Sequence, residues 1–301
     1  MTRAIELCEV GPRDGLQLER EFVPTPAKVE LIERLLAAGV RRLEVTSFVN
    51  PKKVPQLADA EQLLASLRRP DGVYFTGLVL NRKGLDRAIA AGCNEIGMVV
   101  VASDTFNRRN QGVGTDESIA AWLDIARAAR EAGVRAQVTV SAAFGCPFEG
   151  EVPLERVLDI AQRVAAAEPF EICFADTIGV GVPTQVTEMI SRARALLPGI
   201  RLRAHFHNTR NTGYANAIAA VDAGVATLDA SVGGIGGCPF APAATGNIAS
   251  EDLLYLLERS GVRTGVSMER MIETSDWLAQ TIGRGLPGMI SKAGPFPRAS
   301  A

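Results

Sequence analysis

The order of the apolar segments in this chain predicts a (β/α)8 barrel followed by a C-terminal helical extension. Eight short strand-like segments alternate with amphipathic helical segments over about 260 residues, which is typical of a parallel sheet covered by helices. We expect the barrel over residues 1–265 and a C-terminal helix and tail, packed on the barrel, over residues 266–301. The predicted strands lie near residues 5–10, 42–46, 73–80, 95–102, 135–141, 170–175, 201–206 and 226–230.

The first unit shows how these elements are recognised. Residues 5–10 are short and apolar and end at Gly11, which indicates a buried strand. Residues 26–38 carry apolar side chains at helical spacing, and a second strand follows at 42–46. Glycine is favoured just past a helix because that residue often adopts a left-handed conformation. An Ala-Gly pair separates helix from strand at 38–39, 91–92, 132–133 and 223–224.

Two observations favour the closed barrel, known as a TIM barrel, over an open doubly wound sheet. Residues 96–101 are almost continuously apolar, as expected for a parallel strand covered on its outer face. No GxGxxG motif follows the first strand, although that motif is typical of doubly wound nucleotide-binding sheets. Near the C-terminus, residues 268–282 have the pattern of one additional helix.

The composition is that of an ordinary globular protein. The 301 residues are 47% hydrophobic and 22% charged, with a net charge of -2, so we expect no nucleic-acid partner and no membrane partner. No apolar run approaches the length of about 18 residues that spans a bilayer, and the N-terminus lacks a signal-peptide pattern. Five cysteines without a CxxC pair favour the reducing cytoplasm over a disulfide-bonded protein.

The chain contains two histidines, His205 and His207, which lie two residues apart in a predicted strand. Side chains at this spacing project to the same face of a strand. Two neutral imidazoles on one face form half of a metal site, and the alternative is a histidine pair used for packing.

Charged side chains lie where predicted strands end, which is where barrel enzymes place their active sites. Arg13 and Asp14 follow the first strand, Glu44 lies in the second, and Asp176 ends the sixth. A carboxylate in an apolar strand is costly unless it is paired or bound to metal. Alone, Asp14 or Asp176 could cap a turn or a helix, and Glu44 could form a structural ion pair with Arg13, but together they indicate a site.

Asp14 with the two histidines would supply one oxygen and two nitrogen ligands and leave positions open for substrate and water. Such a set admits Mg, Mn, Zn or Fe(II). Cys238 follows four glycines and precedes a proline, which indicates the tip of a mobile loop. The alternatives are a small buried cysteine, and a glycine run that binds phosphate. Cys146, in a similar Gly-Cys-Pro-Phe frame, is interpreted as structural, and Cys8, Cys93 and Cys173 as core residues.

Five motifs together resemble those of the hydroxymethylglutaryl-CoA lyase family, within the metal-dependent TIM-barrel lyases and Claisen-type synthases. The likeness extends from about Glu6 to about Gly265, and the Leu16-Gln17 pair and the cysteine loop favour the lyase branch over the synthases. The motifs are Val10-Gly11-Pro12-Arg13-Asp14-Gly15-Leu16-Gln17, Ser47-Phe48-Val49-Asn50-Pro51-Lys52, Gly145-Cys146-Pro147-Phe148-Glu149-Gly150, Asp176-Thr177-Ile178-Gly179-Val180-Gly181 and Gly236-Gly237-Cys238-Pro239-Phe240-Ala241.

The resemblance implies a role for each matching residue. It implies a divalent cation, Mg or Mn, held by Asp14, His205, His207 and Asn247. It implies catalytic roles for Cys238, Arg13, Asp176 and Glu44, and substrate binding by Arg13, Gln17, Ser47 and Thr177. The implied substrate is an acyl-CoA, and the expected protein is a cytoplasmic homodimer of leucine degradation.

One stretch departs from the family pattern. After His207 the chain reads Asn208-Thr209-Arg210-Asn211-Thr212-Gly213-Tyr214, where the family generally has Asp-Thr followed by glycine two residues on. We expect Asn208 to remove a charge beside the metal, and Asn211 and Tyr214 to reshape the pocket and so affect the choice of acyl group. The predicted reaction is cleavage of a 3-hydroxy-3-methylglutaryl-CoA-like acyl-CoA to acetyl-CoA and a keto acid. The alternatives are a related 3-hydroxyacyl-CoA lyase with a different acyl group, an acetyl-CoA-dependent Claisen-type synthase, and a barrel used only for binding.

Overall fold

Eight parallel strands form a closed barrel, in which each strand pairs with the next along the chain and the last pairs with the first. The computed structural model describes residues 3–237 and 246–297. The barrel strands β1 to β8 are Glu6–Glu9, Arg42–Ser47, Tyr74–Leu78, Glu95–Val101, Arg135–Ser141, Glu171–Asp176, Arg201–Phe206 and Thr227–Ala230. The prediction of a (β/α)8 barrel is therefore confirmed, and each strand lies within two residues of its predicted bounds.

Helices surround the barrel and connect its strands. Helices α1 to α11 are Thr25–Ala37, Ala60–Ser66, Arg82–Ala90, Asp104–Gln111, Thr115–Glu131, Leu154–Ala165, Pro183–Leu196, Gly213–Ala223, Ser250–Arg259, Met268–Ile282 and Ile290–Ala293. A π-helical turn, Gly11–Gly15, follows β1, and short 3-10 turns are Leu16–Leu18, Pro55–Leu57 and Val232–Gly234. None of the described helices is long and apolar enough to cross a membrane.

The C-terminal helix α10 packs on the barrel as an additional layer. The guanidinium of Arg34 on α1 lies 4.9 Å from the ring of Trp277 on α10, and Arg270 donates a hydrogen bond to the carbonyl of Ala37. Two-residue strands, Arg3–Ala4 and Val262–Arg263, pair outside the barrel, and the sequence did not predict them. The proposed division at residue 265 stays an interpretation.

Ion pairs fill the lower interior of the barrel, at the amino ends of the strands. Arg42 on β2 contacts Glu95 on β4 at 2.9 Å and Glu171 on β6 at 2.6 Å, and all three are fully buried. These strands are not neighbours, so the side chains meet across the inside of the barrel. A charge buried in this way is tolerated because oppositely charged partners surround it.

Two buried carboxylates hold the start of the loop that follows β8. Glu9 accepts hydrogen bonds from the backbone amides of Gly11 and Val232 and from the hydroxyl of Ser250. Burial raises the pKa of Glu9 to about 7, and these hydrogen bonds oppose the rise. Glu251 accepts from the amide of Gly233 at 2.9 Å, and burial raises its pKa to about 7 as well. These carboxylates therefore fix residues 232–233, and with pKa values of about 7 both are partly protonated at neutral pH.

We expect Glu9→Gln to stabilise the protein at pH 8. The pKa of Glu9 rises from 4.5 to about 7 on folding, so its stabilising contribution is complete below pH 4.5 and is lost as the pH rises through 7. Glutamine keeps the acceptor for both amides without a charge, and the shift corresponds to about 3 kcal/mol. The free energy of unfolding in urea, measured at pH 5 and pH 8, should show a clearly larger gain at pH 8.

The matched control is Glu273→Gln, at an exposed position on α10. It should change the free energy of unfolding by less than about 0.5 kcal/mol at both pH values. A Glu9→Gln effect that is the same at pH 5 and pH 8 would show that Glu9 is not protonated on folding.

Candidate active site

A cavity of about 760 Å³ opens at the carboxyl ends of the barrel strands. Its walls follow the two-residue alternation of a β-strand, since inward-facing residues on one strand recur at every second position. From β5 and its end come Gln137, Thr139 and Ser141, and from β7 and its end come Arg203, His205 and His207.

Asp14 lies opposite the histidine pair. The π-helical turn after β1 carries Arg13 and Asp14 into the cavity. One ligand atom from each of Asp14, His205 and His207 can be chosen so that all three lie within 4.8 Å of one another. Three of the four predicted protein ligands therefore come together, and they form a candidate metal site.

The second ring nitrogen of each histidine has a different environment. His205 Nδ1 lies 3.1 Å from Asp229 Oδ2, which orients the ring and leaves Nε2 for a ligand. His207 Nδ1 is buried and has no hydrogen-bond partner within residues 3–237 and 246–297. Asn247 Oδ1 is also buried without a hydrogen-bond partner among these residues, while Asn247 Nδ2 donates to Asp14 at 2.8 Å. Such buried acceptors without partners are what an oxygen- and nitrogen-bound cation would satisfy.

The electrostatics favour an ionised Asp14 and a neutral His207. Burial raises the pKa of Asp14, but Arg13 and the two histidines outweigh it and lower that pKa below its ordinary value. Burial and the neighbouring His205 lower the pKa of His207 to about 4. Burial also lowers the pKa of His205, but Asp229 and Asp14 reverse this and raise it.

Arg13 is held rigidly between two carboxylates. Its Nη1 donates to Asp14 at 2.7 Å, its Nε donates to Glu44 at 2.8 Å, and its Nη2 donates to the same oxygen of Glu44. Burial raises the pKa of Glu44, but Arg13 and Arg203 outweigh this and lower it. Glu44 is therefore ionised and serves as a fixed acceptor for the guanidinium.

A register shift in β2 explains how Glu44 and Ser47 both line the cavity although three positions separate them. The pairing of β2 with β3 shifts between Glu44 and Thr46, as in a β-bulge, and the bulge reverses the alternation of side chains. Gln17 and Thr177 also line the cavity, and the Thr177 hydroxyl accepts from the amide of Ala142 at 2.9 Å. All four predicted substrate-binding residues, Arg13 included, thus border one cavity.

Asp176 is directed into a turn. Its carboxylate accepts the amides of Val180 and Gly181, each at 2.9 Å, and it is absent from the described lining of the cavity. Burial raises its pKa, although these hydrogen bonds oppose the rise. This geometry fits the alternative of a turn cap, and a catalytic role for Asp176 stays a prediction.

The residues expected to reshape the pocket lie outside the described lining. The amide of Asn208 donates to the carbonyl of Gly246, and Tyr214 donates to Asp252 at 2.9 Å. Asn211 adopts a left-handed conformation with φ of 57°. These three residues therefore contact the chain beside the cavity, and their expected influence on the acyl group stays a prediction.

Sequence reasoning missed Arg203, Asp229, Gln137 and Thr139, which all line the cavity. The alternation of polar residues in β5 and β7 could have indicated these inward-facing side chains. Cys238 lies outside the described residues, although the preceding Gly237 lines the cavity. Cys146 is buried, and its thiol donates to the Ser103 hydroxyl, which agrees with its structural interpretation.

Known proteins are similar to this chain in both sequence and fold. The sequence model of the HMGL-like family matches residues 4–278. An (R)-citramalyl-CoA lyase of Chloroflexus aurantiacus is 47% identical over 302 residues, which cover 97% of this chain and 95% of that protein. The hydroxymethylglutaryl-CoA lyase of Pseudomonas mevalonii is 42% identical over 281 residues, 93% of each chain.

A solved structure shows the same architecture. It is an HMG-CoA lyase from Acinetobacter baumannii in complex with coenzyme A and 3-methylmalate, with a TM-score of 0.94 and 36% identity, covering 99% of this chain and 97% of that one. The agreement extends over the whole barrel and over the C-terminal helix. This chain belongs to the HMGL-like family.

Proposed function

We propose that this chain is a metal-dependent lyase that cleaves a 3-hydroxy-3-methylglutaryl-CoA-like acyl-CoA to acetyl-CoA and a keto acid. The chain is a carbon–carbon lyase of its family. The observation that carries the proposal is the meeting of Asp14, His205 and His207 within 4.8 Å, beside a guanidinium fixed by two carboxylates.

The donor set suits a divalent cation that accepts mixed oxygen and nitrogen ligands. Asp14, His205 and His207 would hold it, and the free oxygen of Asn247 would add a fourth ligand. We propose Mg or Mn, since no thiolate lies among these donors. When bound, the cation would polarise the substrate oxygens and lower the pKa of the 3-hydroxyl group. A base would take the hydroxyl proton as the carbon–carbon bond breaks, and Asp176, Glu44 and His207 are the three candidates for this base.

Arg13 supplies fixed positive charge where the acetyl-CoA enolate would form. An arginine carries five N–H groups, and the bonds to Asp14 and Glu44 engage three of them. The remaining two can donate to the enolate oxygen without rearrangement of the side chain, which is the source of electrostatic preorganisation. Beside their predicted catalytic roles, Glu44 holds Arg13 and Asp176 holds the turn before α7.

The mouth of the cavity suits the coenzyme A portion of the substrate. Arg20, Lys53 and Arg109 are exposed there and border the cavity, so they offer positive charge to phosphate groups. The Arg109 guanidinium is supported by the ring of Phe148, 4.1 Å away. Leu80 and Val54 provide an apolar wall below this rim.

A second candidate substrate is (R)-citramalyl-CoA, which the 47% identical Chloroflexus protein cleaves by its name. Hydroxymethylglutaryl-CoA has one additional methylene between its tertiary hydroxyl carbon and its carboxylate. The two substrates would therefore share the cation, Arg13 and the coenzyme A contacts. A difference of one methylene changes specificity by about 10- to 200-fold.

Three further expectations also stay proposals. A homodimer would be tested by light scattering of the purified protein. A cytoplasmic location would be tested by fractionation of the source cells. Membership of leucine degradation depends on which keto acid the enzyme releases.

Metal removal should abolish activity. We expect a chelator to stop acetyl-CoA release and Mg or Mn to restore it, because Asp14, His205 and His207 act as ligands. His205→Ala should lose Mn²⁺ binding, measured by electron paramagnetic resonance, while its circular dichroism spectrum is retained. Full activity of the metal-stripped protein would contradict the metal site.

A two-substrate assay should identify the acyl group. The protein with Mg²⁺ would be given hydroxymethylglutaryl-CoA or (R)-citramalyl-CoA, and acetyl-CoA would be measured with acetoacetate or pyruvate. The larger kcat/KM assigns the substrate. Release of acetyl-CoA from neither compound, together with condensation of acetyl-CoA and a keto acid, would support the synthase instead.

Cys238→Ser should separate the lyase from the synthase, because we propose that this thiol protonates the enolate carbon. The loss of a positioned acid lowers kcat by about 10²- to 10⁴-fold, while Mn²⁺ affinity should be unchanged. The matched control is Cys146→Ser, in the same Gly-Cys-Pro-Phe sequence frame. It should keep kcat within about threefold, as expected away from the chemistry. Near-normal kcat in Cys238→Ser would remove this thiol from the reaction.

A further inference from the structure

Arg203 is a fully buried guanidinium directly beneath the candidate metal site. It lies on β7 two residues before His205, so both side chains face the inside of the barrel. Its side chain borders the floor of the cavity, and the reaction proposed above gives it no role.

The guanidinium forms ion pairs with three carboxylates, and those of Glu44 and Asp229 are the nearer two. Arg203 Nη2 donates to Glu44 Oε1 at 3.3 Å, and Nε forms an ion pair with Asp229 Oδ1 at 3.4 Å. Gln137 Oε1 accepts a hydrogen bond from Nη2 at 3.1 Å and fixes the plane of the guanidinium.

Each of these carboxylates holds one working part of the site. Glu44 accepts two hydrogen bonds from Arg13, and the other oxygen of Asp229 contacts His205 Nδ1 at 3.1 Å. The positions of Arg13 and of His205 therefore both depend on carboxylates that share one counter-ion.

We propose that Arg203 is a positioning residue that couples Arg13 to the metal ligand His205 through Glu44 and Asp229. This inference rests on the proposed metal-dependent lyase reaction. Without the guanidinium, Glu44 would keep its hydrogen bonds to Arg13 and Asp229 its contact with His205, but no positive charge would join the two carboxylates. The outer partners of metal-bound histidines typically change metal affinity by about 10- to 100-fold.

Lysine cannot replace arginine in this role. Its ammonium is a point charge that can approach one carboxylate, whereas the larger planar guanidinium donates to Glu44 and at the same time lies within ion-pair distance of Asp229. Arg203→Lys thus preserves the buried charge and removes the bridge. Arg42→Lys is the matched control, because Arg42 is equally buried among carboxylates but pairs most closely with Glu95 and Glu171 and not with Glu44 or Asp229.

The experiment measures Mn²⁺ affinity without substrate, then kcat and KM for the better of the two acyl-CoA substrates, and the melting temperature. Arg203→Lys should weaken Mn²⁺ binding by about 10-fold or more and lower kcat by about 10- to 100-fold, with KM within about threefold. Arg42→Lys should lower the melting temperature to a similar degree and leave Mn²⁺ affinity and kcat within about twofold.

Equal losses of metal affinity in both variants would overturn the proposal and indicate general loosening of the barrel. A rise in KM alone would also overturn it, because it would mean that Arg203 binds the substrate carboxylate directly. If Arg203→Lys does not fold, Gln137→Leu is the alternative, because it removes one hydrogen-bond acceptor of the guanidinium without a change of charge. Unchanged Mn²⁺ affinity in Gln137→Leu would contradict the coupling.

The Mn²⁺ measurement also separates this inference from the proposed reaction. A wild-type protein that binds Mn²⁺ but cleaves neither substrate would refute the reaction, and the affinities of the variants would still decide the role of Arg203. A wild-type protein that cleaves substrate, with Mn²⁺ affinity unchanged in Arg203→Lys, would refute the coupling alone.

Discussion

Buried ion pairs inside the barrel determine where every charged group of the site can lie. Arg42 contacts Glu171, Arg203 lies 3.8 Å from Glu171 and 3.3 Å from Glu44, and Glu44 holds Arg13. We call Arg42, Glu171, Arg203, Glu44 and Arg13 the ion-pair column. Removal of one partner from a buried pair costs about 3–5 kcal/mol because it leaves an uncompensated charge. Each group of the column is therefore held by its own direct partners.

The column also separates structural charge from chemical charge. At the lower end, Arg42 is paired with Glu95 and Glu171, and all three side chains are sealed from solvent. At the upper end, Arg13 retains unused N–H groups, and Asn247 and His207 retain unused acceptors among the described residues. Such preorganised groups in a site shielded from water stabilise developing charge without a reorganisation cost. The buried ion pairs at the amino ends of the strands thus support a site at the carboxyl ends whose donors and acceptors are available to a ligand.

Sequence patterns predicted the barrel well because its signal is repeated eight times. The site was predicted in part, since Asp14 and the two histidines stand out as charged or metal-binding side chains at strand ends. Arg203 and Asp229 were missed because the site was expected where strands end, whereas these two residues lie within β7 and β8. The bulge in β2 and the two-residue outer strands could not be predicted, because each is too short to produce a repeating pattern in the sequence. The tip of the cysteine loop lies outside the described residues, so its predicted role is untested.

The basic rim of the cavity has a consequence for the rate of substrate capture. The chain as a whole carries a charge of -2, yet Arg20, Lys53 and Arg109 surround the entrance. Exposed charges act over about 8 Å at physiological ionic strength, whereas the buried pairs below them are little screened. Added salt would then slow the encounter with a polyanionic coenzyme A ester and leave the events on the cavity floor unaffected. Capture and turnover in this enzyme would respond separately to the ionic composition of the cell.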